Sequence, residues 1–237
     1  MGKLIKAEFM KLSKSLGYKI LLLCASFVGV LLGLLVINKD VGLSDGYNVY
    51  LSTLTDSFAM ISAIIFAIIF VCNEFSNRTL GMGLFSGCSR LSVLLSKAIV
   101  FLIGFMPVVF AEAVVSCAIV TIVKGFGSLD AQQWAVLIQA TLLFILGSMA
   151  MGSVCFMLAV LIKNVGGTIG AGIGIMLAVQ LLKSFPATAG VAKLTFLHQM
   201  ELLPQPEFPV LFIAISAVTL VAALAASVYI FSKSDLK

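Results

Sequence analysis

The chain has 237 residues, of which 61% are hydrophobic and 11% charged, and its mean hydropathy is +1.19. A globular domain of ordinary composition carries about 25% charged residues, so 15 Lys+Arg and 10 Asp+Glu are too few to cover a soluble surface of this size. A water-soluble fold is excluded, and the excess apolar surface places the chain in a bilayer.

Residues 1–19 read as an amphipathic helix lying on the inner membrane face. At 100° per residue, Leu4, Ile5, Phe9, Leu12 and Leu16 fall within a sector of about 140°, and Lys3, Lys6, Lys11 and Lys14 lie to the other side. Such a helix anchors to anionic headgroups; a plain positive-inside flank is the alternative. The basic stretch is too long for a typical cleaved signal, and Lys6 stands where myristoylation needs Ser or Thr. The first span is therefore expected to be retained.

Six stretches meet the length of about 20 apolar residues that a helix needs to cross a bilayer: 20–37, 54–72, 98–123, 134–162, 165–182 and 208–231. Ten-residue alternating segments, the pattern of an outer-membrane barrel, do not occur, so the predicted fold is all-α. The third and fourth stretches exceed one bilayer thickness and must tilt, kink or protrude; Pro107 offers the third a kink site.

Orientation follows from Lys and Arg in the short connections. With the N-terminus inside, the inner segments hold Lys3, Lys6, Lys11, Lys14, Lys19, Arg78, Arg90, Lys97, Lys163, Lys233 and Lys237, and the outer ones hold Lys39, Lys124, Lys183 and Lys193. Eleven against four puts both termini in the cytoplasm. The net charge of +5 is then accounted for by topology and lipid phosphates, and no nucleic-acid partner is needed.

The segment 73–97, NEFSNRTLGMGLFSGCSRLSVLLSK, is too long for a tight inter-helix turn and apolar for a loop. It reads either as a surface-lying docking patch for a cytoplasmic partner or as a connector held by headgroups. Farther along, Glu112 is the one ionisable residue deep in a span. It reads as a polar contact on a substrate path, or as a neutral carboxyl bonded to a neighbouring helix. In the fifth span Gly166, Gly170 and Gly174 recur every four residues, a spacing that lets helix backbones approach closely. That row serves packing within the subunit or a dimer seam.

Catalytic and cofactor chemistry lacks its parts. Neither Gly-Lys-Ser nor Gly-Lys-Thr occurs, so a P-loop is missing and any ATP must bind a separate chain. His198 is the single histidine, and the five cysteines (24, 72, 88, 117 and 155) form no CxxC pair or metal spacing. No catalytic residue, metal or cofactor is expected in this chain.

The segment after the second span resembles the permease subunits of type-2 ABC exporters. Those subunits carry an acidic residue followed by Thr-Leu, a further Leu, a Ser-Arg pair and a Lys opening the next span; Glu74, Thr79, Leu80, Leu84, Ser89, Arg90 and Lys97 match. Gly87-Cys88 and Gly81 depart from the family's proline and basic residue. The resemblance implies that Glu74, Phe75, Arg78, Thr79, Leu80, Leu84, Ser89 and Arg90 lie on a coupling helix seated in a cytoplasmic ATPase dimer that holds ATP and Mg. It also implies a second permease, identical or sibling, with the first and fifth spans near the seam, and a re-entrant hairpin over 183–207. Among small permeases the chain is most similar to those giving bacteria immunity to lantibiotics. The implied protein is thus not an enzyme but one permease in a bacterial cytoplasmic membrane. It would export an amphipathic or peptide-like substrate. A non-transporting scaffold or sensor that docks a regulatory protein is the alternative.

Overall fold

A computed structural model describes residues 2–39, 45–55, 58–76, 89–185, 195, 203 and 209–233. The elements are α1 (Gly2–Lys14), α2 (Leu16–Lys39), α3 (Gly46–Leu54), α4 (Phe58–Ala67), a π-turn (Ile68–Cys72) and α5 (Asn73–Ser76). They are followed by α6 (Arg90–Lys124), α7 (Ala131–Ile162), α8 (Val165–Ser184) and α9 (Pro209–Lys233). No strand occurs among the described residues. Six helical stretches are long and apolar enough to cross a membrane: Leu16–Asn38, Phe58–Ser76, Leu91–Lys124, Ala131–Ile162, Val165–Ser184 and Pro209–Lys233. The protein is a multi-pass, all-helical membrane protein.

The second spanning helix begins at Phe58 rather than Leu54, because Leu54 closes a separate helix, α3. That short helix buries Tyr47, Val49, Leu51 and Leu54, and Tyr50 Oη lies 3.1 Å from Thr141 Oγ1 on α7. The connection after α6 is tied to its start: Gly46 N–H donates to the Gly125 carbonyl and Tyr47 N–H to that of Phe126. Gly125 and Gly127 both have positive φ, and this left-handed turn brings those carbonyls back onto α3.

The core is built on α4 with its π-turn, α6 and α7, where about half of each spanning stretch is buried. Phenylalanines from all three fill it, with Phe66 and Phe101 ring centroids 4.8 Å apart and Phe101 and Phe156 5.3 Å apart. The helices α2, α8 and α9 lie around this core and leave most of their surface outward. That outward surface is apolar, with Phe27, Leu177 and Val218 exposed, as lipid contact requires.

Packing of α2 on α6 is close because Gly29 and Gly33 are spaced four residues apart. A Cβ at Gly29 would lie 2.6 Å from the Glu112 carbonyl oxygen, and one at Gly33 would lie 3.1 Å from Ile119 Cβ. At Gly29 only glycine permits that approach, and at Gly33 a larger residue would press on Ile119. The helix α6 runs unbroken through Pro107. At 35 residues it is about 52 Å long, well beyond the ~30 Å hydrocarbon layer. The excess must be taken up by tilt or by projection from the bilayer.

Candidate functional site

The site lies at the end of the bundle where α1, α5 and the first turns of α6 meet. Each of these elements contributes one side chain to the centre for a local reason. Ser89 caps α6, its Oγ accepting from the Ser92 N–H at 3.2 Å, so the helix begins early and carries Lys97 inward at the start of its third turn. The π-turn adds a residue to the second spanning helix, and an inserted residue of this kind rotates everything after it relative to a regular α-helix. Its effect is to place Phe70 beneath Lys97 and Glu74 beside it. On α1, Glu8 and Leu12 form the buried face; Leu12 lies against Gly104, where a Cβ would collide with it.

Lys97 is only 1% exposed, yet its ammonium is fully engaged. Its Nζ lies 2.9 Å from Glu8 Oε2, 2.8 Å from Glu74 Oε2, and 4.4 Å from the Phe70 ring centroid. An ammonium has three N–H donors, and two carboxylates with one aromatic face give each donor a partner. Lys11 closes the group from outside, 2.8 Å from Glu8 Oε1 and 3.8 Å from Glu74 Oε1. Its side chain is 56% exposed, against 11% for Glu8 and 18% for Glu74. Two acids and two bases balance in charge, but the buried three carry a net negative charge, and half-exposed Lys11 supplies the balance.

The electrostatics of α1 follow from this geometry. Burial works to raise the Glu8 carboxyl, but the Lys97 charge and hydrogen bonds from Lys11 and Lys97 outweigh it and hold Glu8 below its ordinary value. Burial works to lower Lys11, and the hydrogen bond to Glu8 with the nearby Glu74 charge raises it instead. Both groups are thus held ionised.

Around the root of α5 three further elements converge. The Phe75 ring meets Phe231 of α9 edge-on at 6.5 Å, and Lys163 Nζ stands 5.6 Å from the Phe75 centroid. Lys163 ends α7 in the left-handed conformation, φ 56°, and Asn164 then caps α8 by accepting from Gly166 N–H at 3.0 Å. Cys72 Sγ lies 3.3 Å from Thr168 Oγ1. These contacts bring α1 and the end of α9 to the same end of the bundle.

Of the residues expected to dock an ATPase, Glu74 is in the ion group, Phe75 is at the junction with α9, Ser89 is the cap of α6 and Arg90 opens that helix. Arg78, Thr79, Leu80 and Leu84 lie outside the described residues, as does most of 183–207 with His198. Glu112 is buried at 3% in the middle of α6, its backbone against Gly29. Gly166, Gly170 and Gly174 face outward: a Cβ at Gly170 or Gly174 would meet nothing within 4 Å among the described residues. Gly172 faces inward, onto Ile64.

Glu8 was not singled out by sequence reasoning, although a signal was present. At 100° per residue it falls at about 80°, between Leu4 at about 40° and Leu12 at about 120°, an acid inside the apolar sector. Such a residue is expected to find a buried cation, and Lys97 is that cation. No group of three or more metal-ligating side chains occurs among the described residues.

Fold and site together define a polytopic membrane protein whose second and third spans are joined at their roots to an N-terminal helix by buried ion pairs. A family model described as a protein of unknown function, DUF2705, matches residues 34–237, and the chain belongs to that family. The matched region contains Glu74 and Lys97, while Glu8 and Lys11 precede it. Neither curated proteins nor solved structures give a match.

Proposed function

We propose that this chain is the permease subunit of an ATP-driven exporter of the type-2 ABC class, in a bacterial cytoplasmic membrane. Both termini are cytoplasmic in this reading, and the segment beginning at Glu74 is docked on a separate ATPase dimer. The observation that carries it is the sharing of Lys97 between Glu74 and Glu8. A push on the segment after α5 reaches α1, α6 and, through Phe75, α9, so one docked motor moves four elements together. The ATPase-docking sequence pattern begins at the same Glu74.

The working unit is two permeases, giving about twelve spans around a path, with the outward row Gly166, Gly170 and Gly174 offering a close-packing seam to a second copy or a sibling. ATP and Mg reside on the partner. The substrate is amphipathic or peptide-like, and self-immunity to a lantibiotic fits the size of the subunit.

Purification from native membranes in mild detergent, followed by ATP-dependent efflux in vesicles, tests this reading. A nucleotide-binding chain with a Walker motif should accompany the permease, and efflux of an amphipathic peptide should require ATP. A purified complex without such a chain, together with membranes lacking ATP-linked efflux, contradicts it and favours a scaffold or sensor.

A further inference from the structure

The helix α1 has an outward surface that the ion group does not use. Lys3, Lys6 and Lys14 are exposed on it, and Phe9 and Met10 are exposed beside them; Leu16 and Lys19 continue the pattern into α2. Glu8 is the single acid of α1 and is turned inward, so no exposed carboxylate on this helix offsets the lysines. Cations with large apolar side chains at the same level match a boundary of two phases, anionic headgroups above acyl chains. A folded acidic protein would satisfy the lysines and leave Phe9, Met10 and Leu16 in water.

We propose that α1 is a sensor of anionic phospholipid, and that its lipid contact sets how firmly Glu8 and Glu74 are held on Lys97. The proposal rests on the inner-leaflet placement of α1 given above. Lysines at an anionic surface hold α1 flat, which keeps Glu8 at Lys97. On an uncharged surface that restraint is lost and Glu8 withdraws more often. A buried ammonium sharing two carboxylates and a ring cannot lose one without changing its hold on the other. When α1 lifts, Lys11 leaves Glu74 as well and water reaches the group, so the root of the docking segment, residues 73–76, loosens. Binding linkage is reciprocal: whatever displaces Glu74 from Lys97 also weakens the grip of α1 on anionic lipid. Lys11, already engaged with both acids, belongs to the ion group and not to the lipid surface.

Hydrogen–deuterium exchange of the whole chain in nanodiscs tests this, comparing pure phosphatidylcholine with about three parts phosphatidylcholine to one part phosphatidylglycerol. Amides of α1 should exchange about ten-fold more slowly with the anionic lipid, and those of 73–76 should slow several-fold with them. The triple variant Lys3→Gln, Lys6→Gln, Lys14→Gln should erase both responses. Glu8→Gln should keep the response of α1 and remove that of 73–76. The lysine variant alters exposed positions alone and keeps the test decisive if Glu8→Gln folds poorly. Equal exchange of 73–76 in the two lipids, or an α1 indifferent to lipid charge, overturns the proposal. No ATPase is present in the sample, so failure of the exporter reading shows separately, as absence of a co-purifying nucleotide-binding chain.

Discussion

The root of α5 and the outward face of α8 depart from lipid-solvated expectation in opposite ways. At the first, the chain buries charge: Lys97, Glu8 and Glu74 sit together with little exposure. At the second, it exposes backbone, since Gly166, Gly170 and Gly174 present a groove that no described residue fills. The ion group is complete within one subunit, and every donor of Lys97 has a partner. The glycine row is left open by the described residues. Internal closure suits a part that transmits force, and an open groove suits a part that assembles. The glycines Gly29 and Gly33 sharpen the contrast, because they have the same spacing as the α8 row and are filled by α6.

Removing the cation should have the largest effect. Lys97→Met leaves two buried carboxylates side by side without their shared partner, and breaking a buried pair in this way costs about 3–5 kcal/mol. Thermal unfolding in detergent should show a large loss, partly restored when Glu8→Gln and Glu74→Gln are added. A variant as stable as the parent would mean that the ion group does not hold α1 to the bundle.

Next in size is Gly29→Leu, which must push α2 away from the Glu112 backbone and should cost about 1–3 kcal/mol by overpacking. Its counterpart Gly170→Leu meets open space and should leave subunit stability within about 0.5 kcal/mol. The same change should abolish association of two permeases, read as a shift to the monomer by mass measurement in detergent. Loss of fold in Gly170→Leu, or full association, would erase the distinction between a filled and an open row.

The smallest effects belong to the exposed rim of the ion group. Lys11→Gln should cost less than about 1 kcal/mol, because a half-exposed pair is screened by water and salt. The pH dependence has two limbs. Glu8 is held below its ordinary 4.5, so its contribution is complete above 4.5 and is lost as pH falls through the lowered value. Lys11 is held above its ordinary 10.5, so its contribution is complete below 10.5 and is lost as pH rises through the raised value. Melting temperature against pH should be flat between these limbs in the parent, and Glu8→Gln should remove the acid limb's share from this group.

The spans were legible in the sequence because a bilayer demands some twenty apolar residues in a row, a signal that needs no knowledge of neighbours. Their packing was less so. The row on the fifth span drew attention by its repetition, while Gly29 and Gly33, the pair that packs, passed unremarked in a run of leucines and valines. Identical spacing cannot say which side of a helix faces protein when both sides are apolar. The helix α3 was hidden in a connection because nine residues with Tyr47, Leu51 and Leu54 on one face fall short of a spanning length. Glu74 stood out in the sequence at the head of the segment 73–97, but its partner did not. Residues 8, 74 and 97 are brought together by tertiary packing and by a π-turn that no local pattern announced.

In the proposed exporter, Glu8, Lys97 and Glu74 act as one unit passing motion between a docked ATPase and the spans. A double-mutant cycle on ATP hydrolysis by the reconstituted complex tests it most directly, with Glu8→Gln, Glu74→Gln and both together. As one unit, each single change should lower substrate-stimulated hydrolysis by about ten-fold, and the double variant should be scarcely worse than either. Additive losses, or stimulation unchanged by either single substitution, would contradict the account.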